Sequence, residues 1–258
     1  MRYVIVGSGV AGISAIEAIR SLDEAGEIVV VSDDPYGYYY RPGLAYYMNG
    51  ELHDKALFPR TADDYRRMKF RYVKGRVKTI LHGEHVVELD GQDSWPYDRL
   101  LIAVGAQAIP LEVPGANLEG VLKLDHMEDA KRILKQARRG RTAVVVGGGI
   151  TALELVEGLV SRGVKVHYLL RGDRYWSNVL DEQESLIVQQ RLEEEGVKLY
   201  FHSEIIEVLG KKDRVAGVRL LDGRLLKCDL VSYAIGIRPR LGLERQAGLS
   251  VDRGYPGQ

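Results

Sequence analysis

Two segments of the chain share one pattern of hydrophobic and polar positions. Each begins with an apolar run, residues 3–6 and 143–146, that ends at a glycine-rich turn. Apolar residues then recur at three-residue steps, which can line one face of a helix. A second apolar run closes each segment, at residues 28–31 and 164–170. Two parallel strands joined through a helix require a crossover, so the pattern predicts two right-handed βαβ units of Rossmann type.

The stretches that follow the two units are also alike. Residues 70–89 alternate apolar and polar positions and predict an antiparallel meander, and residues 100–104 predict a buried return strand. After the second unit, the pattern predicts a helix over 181–195, strands around 197–201, a meander over 204–226 and a return strand over 230–234. The predicted fold class is α/β, with two Rossmann-like lobes that each carry an antiparallel β-meander insert.

Turn-forming residues divide the chain. Pro110, Pro114 and Gly115 mark the passage from the first lobe to the second, and residues 236–239 mark the passage back. We therefore expect a first domain over 1–110, a second domain over 111–236, and the start of a return to the first domain over 237–258.

Composition excludes several classes of function. The chain has 36 basic and 36 acidic side chains among 258 residues, so no long-range field favours nucleic acid or an anionic membrane. The longest apolar runs are too short for a signal segment or a membrane span, which predicts a soluble, cytoplasmic protein. Cys228 is the only cysteine, so an internal dithiol redox pair is excluded and electron transfer would need a bound cofactor. The six histidines show no ligand spacing, and no metal is predicted.

The first glycine turn matches a dinucleotide-binding fingerprint. Gly7 permits the tight turn, Gly9 lets the backbone approach a pyrophosphate, and Gly12 lets helix and strand pack closely. Asp33 follows the second strand, where it can accept from ribose hydroxyls, and Asp34 is the second candidate for that role. The alternative is an ordinary strand-to-helix turn with turn-forming aspartates. The residues predicted to bind the first cofactor at this turn are Gly7, Gly9, Val10, Ala11 and Gly12.

The second glycine turn has the same form but a different strand end. Counting from the turn, the counterpart of Asp33 falls at Leu170, with Arg171 next. An NAD ribose would find no carboxylate there, whereas Arg171 and Arg174 could contact the 2′-phosphate of NADPH. This favours NADPH over NADH, although both arginines could instead be solvated loop residues. The residues predicted to bind NAD(P) at this turn are Gly147, Gly149, Ile150 and Thr151.

An ordered set of motifs resembles the pyridine nucleotide-disulfide oxidoreductase superfamily, particularly its rubredoxin reductase, ferredoxin reductase and apoptosis-inducing-factor branch. The set comprises residues 7–12, 32–35, 40–44, 101–106, 147–154 and 234–239. The resemblance spans nearly the whole chain. It implies FAD in the first lobe and NADH or NADPH in the second.

The resemblance also implies roles for single residues. Asp33 would hold the adenosine ribose of FAD, Arg41 and Pro42 would lie along the flavin side of the cofactor, and Val77 would contact adenine through its backbone. An isolated arginine such as Arg41 is otherwise more often a surface charge. The remaining residues implied in cofactor binding are Ala103, Val104 and Gly105 for FAD and Gly236 for NAD(P).

Glu154, on the helix after the second glycine turn, is the one residue implied close to the reacting nicotinamide. In the family this glutamate often pairs with a lysine, whose expected position holds Tyr46 here. Glu154 could still orient the nicotinamide carboxamide, or it could be a plain helix residue. Family chains continue beyond the point corresponding to residues 248–252 into a further flavin-binding motif and a dimerisation domain, so we expect a C-terminally truncated form whose full-length counterpart can form homodimers.

The leading hypothesis is an FAD-dependent NAD(P)H oxidoreductase that passes hydride from nicotinamide to flavin and on to an external acceptor of unknown identity. The alternative is a truncated, non-catalytic nucleotide-binding module with weak FAD binding or none.

Overall fold

A computed structural model describes residues 1–91 and 93–251. The chain forms two compact units. The first unit comprises Met1–Tyr40, Lys55–Gln107 and the described residues from Arg238 onward, and the second comprises Arg41–Asp54 and Ala108–Ile237. The tail at residues 254–258, which the sequence analysis used in predicting a truncated form, lies outside the described residues.

The described residues form both strands and helices. The strands are β1 Arg2–Val6, β2 Glu27–Ser32, β3 Arg71–Lys74, β4 Val77–Leu81, β5 Val86–Leu89, β6 Ser94–Pro96, β7 Arg99–Ile102, β8 Ala106–Ala108, β9 Val121–Lys123, β10 Thr142–Val146, β11 Lys165–Leu169, β12 Lys198–Tyr200, β13 Ile205–Lys211, β14 Arg214–Leu220, β15 Leu225–Lys227, β16 Leu230–Tyr233 and β17 Ile237–Pro239. The helices are α1 Val10–Leu22, α2 Leu44–Asn49, α3 Asp54–Leu57, α4 Ala62–Met68, α5 Met127–Gln136, α6 Ile150–Val160, α7 Glu182–Glu194 and α8 Gly242–Gln246, with 3₁₀ turns at Arg41–Gly43 and His82–Glu84.

The first unit has three layers around a parallel sheet of order β3-β2-β1-β7. Successive side chains of a strand point to opposite faces, and β1 follows this rule. Val4 and Val6 pack against the antiparallel sheet β4-β5-β6, while Ile5 packs with Ile13 and Ile16 of α1. Both faces of the sheet are thus buried, as a parallel sheet requires.

The second unit repeats this arrangement with a wider sheet. Its five parallel strands have the order β12-β11-β10-β16-β9. The antiparallel sheet β13-β14-β15 covers one face, where Val144 and Val231 pack against Val208 and Val218. Helix α6 packs on the sheet through its contacts with β10 and β11. The predicted α/β fold with two Rossmann-like lobes and two antiparallel inserts is therefore confirmed.

One predicted element is wrong in part. Residues 70–89 were expected to form a single antiparallel meander, but β3 is a parallel strand at the edge of the main sheet, where Val73 is in register with Val31. Its last bond is donated by Gly75 N to Ser32 O, so Gly75 ends a sheet strand and does not begin a hairpin return. The meander instead consists of β4, β5 and β6 and extends to Pro96.

The segment 41–54 groups with the second unit, whereas the sequence prediction placed residues 1–110 together. Helix α2 buries Leu44, Ala45 and Met48 and packs on α6. Gly158 of α6 leaves room for this contact, because a Cβ there would lie 3.2 Å from the Met48 side chain. Arg162 Nε also donates to Met48 O at 3.0 Å. Packing against α6 therefore places 41–54 with the second unit.

Each unit presses the first glycine of its turn against the end of its return strand. A Cβ on Gly7 would lie 2.3 Å from the carbonyl oxygen of Ala103, and one on Gly147 would lie 2.3 Å from that of Ala234. Their φ angles of 111° and 139° are also unfavourable for any other residue. By contrast, no atom of the described residues lies within 4 Å of a Cβ position on Gly9.

We expect Gly7→Ala to lower the free energy of unfolding by about 3 kcal/mol, because the new methyl group meets a backbone carbonyl and φ becomes strained. Gly9→Ala should change it by less than about 0.5 kcal/mol, since its methyl group enters open space. Urea unfolding followed by circular dichroism measures both. Equal stability of the two variants would contradict the described packing of the turn.

Candidate functional site

The first glycine turn leaves space and backbone donors for an anion. Gly9 is the N-cap of α1, and the space beside its Cα is open. Helix α1 has no side-chain cap and no acidic residue in its first turn. By contrast, α4 and α7 begin with capping boxes built on Thr61 and Asp181. Uncapped amides at the positive end of a helix dipole are a general anion-binding arrangement, so the residues present fit a pyrophosphate.

The strand end beside this turn separates the two candidate aspartates. Asp34 holds the local chain, because its Oδ1 accepts from Tyr36 N at 2.9 Å. Asp33 Oδ2 instead accepts from Arg76 Nε at 2.9 Å and lies 2.9 Å from Arg76 Nη2 in an ion pair, and its side chain is 49% exposed. Asp33 is therefore the more accessible of the two carboxylates, and its role as ribose ligand stays a prediction. Ser8 Oγ donates to Ser32 Oγ at 3.0 Å and ties the turn to the strand end.

The other residues predicted for the first cofactor lie at the start of β4, after the return strand β7, and in the 3₁₀ turn before α2. Val77 begins β4 and buries its side chain in the core, which leaves its backbone as the group for a ligand contact. Ala103 N donates to Val6 O at 2.8 Å, and Gly105, with φ of 68°, accepts from Arg240 N at 3.0 Å. Val104 packs partly buried against the core of the first unit. The structure thus brings residues 103–105 to the first glycine turn through the contact of Ala103 with Gly7.

Arg41 and Pro42 lie in the 3₁₀ turn that precedes α2, in the segment that packs with the second unit. Arg41 Nη1 is 3.9 Å from Oδ1 of the buried Asp125, and the arginine side chain is 46% exposed. The guanidinium is therefore loosely paired and accessible.

The second glycine turn repeats the arrangement of the first. Gly149 is the N-cap of α6, which has neither a side-chain cap nor an acidic residue in its first turn. Ile150 is exposed and Thr151 is half-buried at the start of this helix. Gly236, with φ of 123°, accepts from Ile109 N at 3.0 Å where the return strand ends.

The strand register corrects one sequence correspondence. Gly7 N donates to Val31 O, and Gly147 N donates to Leu169 O, so Val31 and Leu169 are equivalent. The counterpart of Asp33 is therefore Arg171, and the predicted counterpart, Leu170, matches Ser32 instead. The side-chain contacts support this correspondence. Ser32 is hydrogen-bonded to Ser8 of the first turn. Leu170 is buried and lies 4.0 Å from a Cβ position on Gly148, the residue of the second turn that is equivalent to Ser8. The span from the glycine turn to the end of the second strand is therefore two residues shorter in the second unit than in the first, whereas the sequence prediction assumed about three.

The two candidate arginines have different environments. Arg174 is held within its loop, where Nη1 is 3.6 Å from Asp173 Oδ1 and Nη2 donates to Ser177 O at 3.2 Å. Arg171 is exposed and forms no ion pair within residues 1–91 and 93–251. The geometry therefore favours Arg171 over Arg174 as the group that can contact a ligand phosphate.

Glu154 is a half-buried carboxylate on α6. Burial, with a smaller contribution from the charge of Glu157, raises its pKa. The described part of the chain gives it no ion-pair partner, and Tyr46, at the expected lysine position, is 52% exposed.

Two further features limit the chemistry available. Cys228 is buried in the core of the second unit, and burial raises the pKa of its thiol to about 12. The thiolate that redox chemistry needs is therefore scarce. Among the described residues there is no cluster of side chains able to hold a metal ion and no helix long and apolar enough to cross a membrane.

Sequence reasoning missed two residues near the turns. Arg76 pairs with Asp33, and its position one residue before Val77 was the only available signal. Trp176 lies beside the second turn, with Nε1 3.9 Å from a Cβ position on Gly149. No spacing rule connects Trp176 with the glycine motif, because a loop of irregular structure brings it there.

Comparisons with known proteins agree with this geometry. The nitrite reductase (NAD(P)H) of Bacillus subtilis (strain 168) is 31% identical over 256 residues, which cover 98% of this chain and 32% of the relative. The rubredoxin-NAD(+) reductase of Pseudomonas putida is 29% identical over 256 residues, which cover 98% of this chain and 66% of the relative. The chain thus spans between one third and two thirds of the length of these relatives.

A solved structure is similar over the same range. The crystal structure of the covalent putidaredoxin reductase–putidaredoxin complex superposes with a TM-score of 0.92 at 28% identity, covering 98% of this chain and 62% of the matched chain. The family described as pyridine nucleotide-disulphide oxidoreductase matches residues 1–256. With two glycine turns of the same construction in two Rossmann-like units, the chain belongs to the pyridine nucleotide-disulphide oxidoreductase family.

Proposed function

We propose that the chain supplies the FAD-binding and NAD(P)H-binding units of an FAD-dependent NAD(P)H oxidoreductase. FAD would bind at the first glycine turn and NAD(P)H at the second. One observation carries the proposal: in both turns the second glycine begins a helix that has no side-chain cap, and the strand ends beside the turns carry opposite charges, Asp33 and Arg171. The Asp33 carboxylate can accept hydrogen bonds from the ribose hydroxyls of FAD, and the Arg171 guanidinium can donate hydrogen bonds to a nucleotide phosphate.

The residues of the chain bind and orient, and they supply no electrons themselves. FAD, when bound, accepts hydride from the nicotinamide and passes electrons onward. Gly9 and the first amides of α1 would hold the FAD pyrophosphate, and Asp33 its ribose. Gly149 and the first amides of α6 would hold the nicotinamide dinucleotide, and Glu154 would orient its carboxamide.

We propose a small electron-carrier protein as the external acceptor. The relatives include reductases named for rubredoxin and putidaredoxin, which makes a small electron-carrier protein the first class of acceptor to test.

The purified protein should be yellow, and NADPH should bleach it in the absence of oxygen. A colourless protein that does not take up added FAD would instead favour the non-catalytic nucleotide-binding module.

We expect Gly9→Val to reduce bound FAD about tenfold or more, because the side chain fills the space through which the pyrophosphate approaches. Flavin content after gel filtration measures this loss. Gly83→Val is the matched control, since Gly83 lies in the same unit and also has no atom within 4 Å of a Cβ position. Full flavin content in the Gly9 variant would contradict the assignment of FAD to this turn.

We expect a preference for NADPH over NADH that Arg171→Ala reduces by roughly tenfold, since a charge-assisted hydrogen bond contributes on the order of 1.5 to 3 kcal/mol. Stopped-flow reduction of bound flavin by each nucleotide measures this preference. Arg132→Ala, at an exposed arginine of the same unit, serves as the control. Equal rates with both nucleotides, unaltered by Arg171→Ala, would remove the basis for choosing NADPH.

We expect Glu154→Gln to raise the Tm slightly at about pH 8 and to leave it unchanged near about pH 4. The folded protein binds the Glu154 proton more tightly than the unfolded chain does, because burial raises the pKa. Ionisation therefore costs folding free energy above the folded pKa and none below the unfolded pKa. Thermal unfolding at both pH values, with exposed Glu193→Gln as control, tests the sign, and a lower Tm at high pH would contradict it.

A further inference from the structure

The two glycine turns differ in what lies beside the second glycine. Within residues 1–91 and 93–251, no atom comes within 4 Å of a Cβ position on Gly9, whereas at Gly149 the Nε1 atom of Trp176 lies 3.9 Å from that position. In a dinucleotide-binding turn this glycine is the point where the backbone approaches the pyrophosphate. An indole N–H therefore stands beside the expected position of the pyrophosphate at the second turn, with no counterpart at the first.

The indole is a donor with no acceptor of its own. Tryptophan carries one N–H and no acceptor atom, and Trp176 Nε1 donates no hydrogen bond within the part of the chain that the structure describes. The side chain is half-buried, so the ring is packed while part of it stays accessible.

The loop holds Trp176 in an unusual backbone conformation. Its φ is 49°, in the left-handed region that bulky residues avoid. Its carbonyl accepts from both Val179 N at 2.9 Å and Leu180 N at 3.0 Å. Such conformations persist where surrounding contacts determine them, often where a side chain must be aimed.

The preceding residue anchors this conformation to α7. Tyr175 is fully buried, its N donates to Gln189 Oε1 at 2.9 Å, and its O accepts from Ser185 Oγ at 2.8 Å. The Tyr175 and Trp176 rings pack at 6.1 Å between centroids. The indole position is therefore set before any ligand arrives, which limits the entropy lost on binding.

We infer that Trp176 is a nucleotide-binding residue whose indole Nε1 donates a hydrogen bond to a pyrophosphate oxygen of the nicotinamide dinucleotide at the second glycine turn. The inference rests on the proposed assignment of NAD(P)H to that turn. It adds a side-chain donor to a site that the glycine motif describes only through backbone amides.

Binding of NADPH and of ADP-ribose by calorimetry tests the inference. ADP-ribose keeps the pyrophosphate and lacks the nicotinamide. We expect Trp176→Phe, which keeps an aromatic ring but removes the N–H, to weaken both ligands about tenfold, as the loss of a hydrogen bond to a charged group implies. Trp95→Phe, in the other unit, should leave both affinities unchanged. Unchanged affinity of Trp176→Phe for ADP-ribose would overturn the inference.

Tryptophan emission provides a second measurement. The chain has two tryptophans, so Trp95→Phe reports on Trp176 alone and Trp176→Phe on Trp95 alone. Saturating NADPH should quench most of the emission of the Trp176-only protein through energy transfer to the adjacent nucleotide, and weak quenching there would count against the inference. Trp176→Gly, which relieves the positive φ, keeps the comparison valid if Trp176→Phe unfolds, and it should bind as weakly.

The failure of the proposed function has a different signature. If the unaltered protein binds neither NADPH nor ADP-ribose, the assignment of the dinucleotide to this turn fails as well. If the unaltered protein binds both and Trp176→Phe binds equally well, only the role of Trp176 fails.

Discussion

Close approach of a glycine to a carbonyl group organises both units. Gly7 meets the carbonyl of Ala103, and Gly147 meets that of Ala234, so no side chain fits between the turn and the end of the return strand. This contact holds the following helix at the carboxyl edge of the parallel sheet, where ligands of open α/β sheets generally bind.

The two units share this frame and differ in the chemistry at the strand ends. Beside the first turn, Ser32 bonds to Ser8 and Asp33 presents a half-exposed carboxylate. Beside the second turn, Leu170 fills the equivalent buried position and Arg171 takes the place of Asp33. The two units therefore repeat the same turn on the same backbone frame, while the side chains at the two strand ends carry opposite charges.

The loop after the second strand adds a further difference. In the second unit it returns to the glycine turn and places Trp176 beside Gly149, held by the buried Tyr175. The equivalent loop of the first unit brings no side chain within 4 Å of the Cβ position of Gly9. The helix that follows the second turn also carries a perturbed carboxylate. Burial raises the pKa of Glu154, and the charge of Glu157 on the same helix adds to this increase.

Periodicity and the glycine motifs alone determined the α/β class, the two units, most strand positions and helix α7, because these depend on local pattern and on the backbone freedom of glycine. They also placed Asp33 ahead of Asp34. Tertiary structure decided the rest. It made β3 a parallel edge strand, paired Asp33 with Arg76, and moved the counterpart of Asp33 from Leu170 to Arg171. It also packed 41–54 on the second unit. These outcomes depend on strand register and on contacts between distant segments, which no local window of sequence contains.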